Sequence, residues 1–183
     1  MIKVGVLVGS LRKESYTKKL AENLVEYFPE DYETEFIEIG NLPFYNEDLD
    51  AGDPPEEYVK FREKMHDKDA FLFVTPEYNR SVPAVLKNAL DVGSRPYGHS
   101  VWAGKTGAIV SNSPSNLSGF GANHHLRQSM VFLDVQMLHQ PEAYIANVAD
   151  LLDDEGKVNN EGSRKFLKSV IDAFVELTNL FRA

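Results

Sequence analysis

Apolar positions along this chain fall into two alternating patterns, short continuous runs and longer stripes of helical period. Ile2, Val4, Val6, Leu7 and Val8 make a largely β-branched run, as in a strand buried on both faces. Gly9 and Ser10 end it, and after a polar loop Ser15 is placed to cap a helix with the stripe Leu20, Ala21, Leu24, Val25 and Phe28. Pro29 stops that helix. Phe36 to Ile39 alternates like a strand nearer a sheet edge, and Gly40 to Pro55 carries turn residues with no period, a long loop.

Further on, Tyr58, Phe61 and Met65 mark one side of a weaker helix between Pro55 and Lys68. Ala70 to Val74 (AFLFV) is another buried strand, broken at Pro76. A helix is predicted from Ser81 to Val92, capped by Ser81, with Pro83 tolerated in its first turn. Thr106 to Val110 is the fourth strand, Gly121 to Leu133 a helix, and Val135 to Leu138 the fifth strand. From Ser163 onward Phe166, Leu167, Val170, Ile171, Phe174, Leu177 and Phe181 recur at the period of about 3.6 residues of a long amphipathic helix.

Strands alternating with helices predict an α/β fold in one domain over residues 1–183: a five-stranded parallel sheet with helices on both faces and right-handed crossovers. Ligands of such sheets sit beyond the carboxyl ends of the strands, where the strand order reverses. That confines the search to GSLRKES (9–15), PEYNRS (76–81) and SNSPSNLSG (111–119).

Composition narrows the partners. The absence of cysteine removes disulfides, thiolate nucleophiles and cysteine-held metals. With 28 Asp and Glu against 19 Lys and Arg, the formal charge of −9 disfavours nucleic acid and anionic membrane, both of which need a basic surface. No apolar stretch approaches the roughly 20 residues of a membrane span. The opening run has no small-residue cleavage site behind it, so a cytoplasmic protein is expected. Acidic residues crowd between Glu26 and Asp69, as a solvated face or a docking surface for a basic partner.

The first loop carries the clearest chemistry. A strand that turns tightly into a helix aims backbone N–H groups and a helix dipole at one point, which is an anion site. Ser10, Ser15 and Thr17 add hydroxyls, and Arg12 adds a charge able to grip two phosphate oxygens. The loop has neither the GxxxxGK[ST] of a nucleoside triphosphate site nor the GxGxxG of a dinucleotide site, and its donors suit a terminal phosphomonoester. The bland alternative is an ordinary turn capped by Ser15. In the second loop Tyr78 offers a flat surface and Asn79 both a donor and an acceptor; the alternative is that they only shape the turn. The third clusters hydroxyls and amides, with Gly119 and Gly121 permitting close backbone approach. Together the loops suit a phosphate, a polyol chain and a flat heterocycle.

Other constellations carry less. His124 and His125 are neighbours on a helix and point about 100° apart, so they cannot share a metal ion, and none is expected. No GxSxG elbow is present, and Lys87 with Asp91 reads as a solvated pair four residues apart.

Four segments, GSLRKESYT (9–17), PEYNRSVPAVLKNALD (76–91), WAGK (102–105) and LRQ…QPE (126–142), resemble the NAD(P)H-dependent FMN reductases of flavodoxin-like fold, which include quinone, chromate and azo reductases. The resemblance spans essentially the whole chain. It implies a three-layer α/β/α sandwich of strand order 2-1-3-4-5, FMN as cofactor, and NADPH or NADH as co-substrate. The electrons would pass to a small-molecule acceptor such as a quinone, an azo compound or free flavin. By the same resemblance Ser10, Arg12, Ser15 and Thr17 bind the FMN phosphate, while Pro76, Glu77, Tyr78 and Asn79 line the isoalloxazine. Ser113 with its neighbours, Ser115 among them, closes the other edge. The flavin carries the hydride chemistry, so no catalytic side chain is implied. A homodimer or homotetramer is implied, with the Gly40 to Pro55 loop meeting the partner near its flavin. Ser115 and Ser118 depart from the family by standing where glycines usually occur. The alternative from another class is a flavodoxin-type electron carrier, whose threonine-rich T-x-T-G-x-T turn this chain replaces with GSLRKES.

Overall fold

The computed structural model describes residues 1–182. Its first apolar run becomes β1 (Ile2–Val8), with Val4, Val6 and Leu7 fully buried because strands pair with it on both sides. One is β2 (Tyr32–Phe36), the other β3 (Ala70–Thr75), both parallel to it. Beyond β3 lies β4 (Lys105–Asn112). Two short strands then share the far edge of β4: β5 (Val135–Met137) pairs with Lys105 to Gly107, and β6 (Ala143–Ile145) with Val110 to Asn112. The order β2-β1-β3-β4-β5 is the flavodoxin-like one that the resemblance implies.

Helices cover both faces. On one, α1 (Tyr16–Val25) and α7 (Glu161–Arg182) pack Leu20, Leu24, Leu167 and Phe174 onto Val4, Val6, Leu72, Val74 and Ala108. On the other, α3 (Glu56–His66), α4 (Ala84–Gly93) and α5 (Phe120–Phe132) bring Phe61, Leu86, Leu90, Leu126 and Met130 onto Leu7, Phe71, Phe73 and Ile109. Trp102 completes that layer, its indole N–H donating to the Leu90 carbonyl at 3.1 Å. Two one-turn helices, α2 (Glu47–Asp50) and α6 (Val148–Leu151), complete the chain.

Three expectations need correction. The edge strand is Tyr32–Phe36, not Phe36 to Ile39: the ladder with β1 ends as the Ile37 N–H donates to Val6, and Ile37 and Ile39 then turn into the core under α3 and α4. An edge strand has one neighbour and tolerates Glu33 and Glu35, so its alternation is weak, whereas the residues that followed it looked apolar because they are buried by helices. The sheet has six strands, because the edge position expected for one strand is split between β5 and β6. Ser81 does not cap α4; the cap position is Pro83, with no side-chain hydrogen bond.

The Gly40 to Pro55 loop is largely exposed but tied at several points to helices of its own chain. Asn88 on α4 donates to the Pro43 carbonyl at 2.9 Å and accepts the Tyr45 N–H at 2.8 Å. Tyr58 on α3 donates to the Phe44 carbonyl at 2.9 Å. Arg62 grips Asp50 through two contacts of 2.7 Å and gives its Nε–H to the Val92 carbonyl. Two of its large apolar side chains remain uncovered, Phe44 at 75% exposure and Leu49 at 47%.

Candidate functional site

The loop leaving β1 is built from a cap and unsatisfied donors. Ser15 is extended and caps α1, its Oγ accepting the Lys18 N–H at 3.1 Å. The backbone N–H groups from Arg12 to Thr17 find no acceptor among the described residues, and no acidic side chain occupies the first turn of α1. A helix start of this kind attracts an anion. Thr17 has another partner: its buried hydroxyl donates to Asn112 Oδ1 at 3.1 Å, and Asn112 Nδ2 donates to the Thr75 carbonyl at 3.2 Å. This buried chain of contacts joins α1 to the ends of β3 and β4.

After β3 the backbone makes a two-residue hairpin. Tyr78 and Ser81 exchange N–H···O=C bonds of 3.1 and 3.0 Å, while Asn79 and Arg80 take the left-handed φ values of 50° and 65° that such a turn requires. The turn docks on the start of α5. Glu77 Oε2 accepts the Ala122 N–H at 3.1 Å, and Ser81 Oγ lies 2.9 Å from His125 Nδ1. A Cβ on Gly121 would come within 2.5 Å of the Arg80 carbonyl oxygen, so this contact has room only for glycine.

The third loop closes largely on itself. Ser115 is exposed yet bonded within the loop: its Oγ is 3.0 Å from Ser113 Oγ, and its N–H donates to the same hydroxyl at 3.1 Å. Ser118 sits at φ 59°, the conformation for which glycine is the usual residue, and its hydroxyl donates to the Asn116 carbonyl at 3.1 Å. The loop is anchored to β6 and α6, since the Ser113 N–H donates to Ile145 and the Val148 N–H to Ser113.

These loops meet around a cavity of about 340 Å³. It brings together Ser10, Arg12, Ser15, Thr17, Pro76, Glu77, Tyr78, Ser113 and Ser115, and leaves Asn79 outside, in the hairpin turn. Tyr16, Asn112, Pro114 and Val148 also line it. Asn112 is the last residue of β4, and only its pairing register shows that its side chain reaches inward. Val148 follows a strand that no local pattern announced. The two histidines turn apart: His124 Nε2 lies 3.0 Å from the Tyr144 hydroxyl, His125 against Ser81. A larger cavity, about 520 Å³, lies between α4 and α5, where Leu90, Phe132 and Leu133 meet Asp91, Arg95 and His125.

An FMN phosphate fits the donor set on the β1 side: hydroxyls of Ser10 and Ser15, the Arg12 guanidinium and unpaired N–H groups, with the one lining carboxylate, Glu77, engaged at α5. Asymmetry of this kind, donors at one end and Pro76 and Tyr78 at the other, suits a phosphorylated flat heterocycle. Residues 2–150 match the family model described as NADPH-dependent FMN reductase. A quinone reductase of Pseudomonas putida is 55% identical over 98% of this chain and 96% of its own length. A 2-hydroxy-1,4-benzoquinone reductase of a Burkholderia species is 44% identical over 94% of each chain. The solved structure of FerB, a flavoenzyme NAD(P)H:(acceptor) oxidoreductase from Paracoccus denitrificans, superposes with a TM-score of 0.92 at 38% identity, covering 99% of both chains.

Proposed function

The chain belongs to the NADPH-dependent FMN reductase family, and from that premise we propose that it is one FMN-binding domain passing electrons from NADPH or NADH to a quinone. The observation that carries the reading is the cluster of unpaired N–H groups and Ser10, Arg12 and Ser15 facing one end of a cavity whose other wall is Pro76 to Tyr78. FMN, when bound, supplies the capacity to take a hydride from a reduced nicotinamide and give electrons to a second molecule. The chain's part is to hold and orient. Arg12 and the two serine hydroxyls neutralise the phosphate, Pro76, Glu77 and Tyr78 line the ring, and Ser113 and Ser115 border its far edge; Asn79 shapes the turn that presents Tyr78. Thr17 braces Asn112, which ties the start of α1 to the ends of β3 and β4. No side chain of the cavity is assigned a proton-transfer step.

One cavity with one phosphate-type loop gives the pyridine nucleotide and the acceptor the same place to bind, so they take turns. Azo compounds and free flavin are flat and fit the same alternation. The exposed apolar pair Val131 and Phe132 on α5, beside the α4–α5 groove, supports a homodimer or homotetramer. Among the described residues no helix is long and apolar enough to cross a membrane. We assign the protein to the cytoplasm, where reduced pyridine nucleotide is available. The test is direct: the purified protein should be yellow and release FMN, not FAD, on denaturation. A colourless protein that takes up no added FMN overturns the reading.

A further inference from the structure

A third cavity, about 410 Å³, opens on the other side of the β1 loop. It shares Ser10 and Arg12 with the cavity described above, so the two adjoin along that loop. Its walls are apolar at the strand ends, from Val8 of β1 through Phe36 of β2 to Ile37, and Leu11 overhangs them. Two of these are open to a ligand: Leu11 is 61% exposed and Phe36 39%.

Three of its four charged side chains are cations. Arg12, Lys13 and Lys18 line it, and none of the three forms an ion pair among the described residues. Lys19, by contrast, reaches Glu14 at 3.3 Å. The one lining carboxylate, Glu38, is tied to its own turn, Oε1 accepting the Gly40 N–H at 2.7 Å. Three cations without an ion-pair partner against one carboxylate leave this pocket net positive in a chain of net charge −9. An apolar shelf rimmed by free cations is built for a flat ring that carries phosphate.

We propose that this cavity receives the adenosine end of NADPH, with Lys13 and Lys18 holding its 2′-phosphate, and so makes the protein prefer NADPH to NADH. The inference rests on the FMN reductase reading, in which a pyridine nucleotide approaches this trough. It adds the place where the two nucleotides are told apart. They differ only in the 2′-phosphate, so cations beside that group act on NADPH and leave NADH unread. Arg12 faces both cavities, whereas Lys13 and Lys18 line only this one, which separates phosphate recognition on the nucleotide from FMN retention.

The experiment uses the FMN-loaded protein and the Lys13→Ala/Lys18→Ala double variant, with Lys19→Ala as a control for loss of surface charge. Steady-state rates with NADPH and NADH are paired with calorimetric titration of 2′,5′-ADP and of 5′-AMP. The double variant should lower the ratio of kcat/KM for NADPH over NADH about tenfold or more, through KM, as expected for lost charge-assisted contacts. Wild type should bind 2′,5′-ADP more tightly than 5′-AMP, and the double variant should bind them alike. The proposal falls if both nucleotides weaken equally, if Lys19→Ala lowers the ratio as much, or if wild type does not discriminate 2′,5′-ADP from 5′-AMP. Absorbance of retained FMN, measured first, reports separately on the FMN reading; a chain without FMN refutes that reading while the 2′,5′-ADP titration still judges the cavity.

Discussion

Glu77 Oε2 accepts the backbone N–H of Ala122 at 3.1 Å, which ties the hairpin after β3 to the first turn of α5. The Glu77 side chain is only 9% exposed, and a carboxylate at a helix start is favoured by the helix dipole as well as by the bond itself. Glu77 also lines the cavity, and its carboxylate sets where the loop carrying Pro76 and Tyr78 sits. Glu77→Ala should lose about 1–2 kcal/mol of stability and weaken FMN binding, whereas Glu77→Gln, which keeps an acceptor, should retain most of both. Urea unfolding of the FMN-free protein and fluorescence titration with FMN measure the two effects. Equal losses in the two variants would show that the bond to Ala122 is not what holds the loop.

Arg12→Ala removes the one cation facing the phosphate end of the cavity. FMN affinity should fall by about 1.5–3 kcal/mol, the usual worth of a hydrogen bond to a charged group, with little change in the unfolding midpoint of the FMN-free protein because Arg12 is exposed. Unaltered affinity would put the phosphate elsewhere.

Shared use of one cavity predicts ping-pong kinetics. Double-reciprocal plots with NADPH varied at several fixed quinone concentrations should be parallel. Intersecting lines, with a ternary complex detected by equilibrium binding, would reject the shared site.

Lys105 sits half-buried at the opposite end of the sheet, donating to the Met65 carbonyl at 2.8 Å beneath the last turn of α3. Burial pushes its pKa down from 10.5 to about 8. Between those values the unfolded chain holds the proton that the folded chain has released, so this group makes stability rise with pH across the window. The urea midpoint of wild type relative to Lys105→Met should therefore increase from about pH 8 to about pH 10.5. A constant difference would mean that the amine titrates normally.

Phe132 projects from α5 beside the α4–α5 groove at 79% exposure. Sedimentation should show wild type as a dimer or tetramer at micromolar concentration and Phe132→Asp shifted toward monomer, because a charge in an apolar interface is not desolvated cheaply. A wild-type monomer with full activity would remove the groove's proposed role.

Much of this architecture is legible in the chain itself, because burial leaves a local trace. The runs at Ile2 to Val8 and Ala70 to Val74 are continuous because strands pair with them on both sides and helices cover both faces, and the stripes of α1 and α7 repeat with the helix because one side faces the sheet. Three chemistry-bearing loops follow from the same order, since parallel strands put all their carboxyl ends on one side. What only the folded chain decides is which distant atoms meet. The edge strands β2, β5 and β6 have a single neighbour along each stretch, so their patterns are weak and their extents are set by register with β1 and β4. Thr17 and Asn112 lie 95 positions apart, and Glu77 meets Ala122 across 45; no spacing rule encodes either pair. Periodicity reports which way a side chain points, and hydrophobicity, a property of each residue alone, reports its tendency to be covered. A hydrogen-bond partner is a property of two, and it exists only once the sheet has closed and brought their elements together.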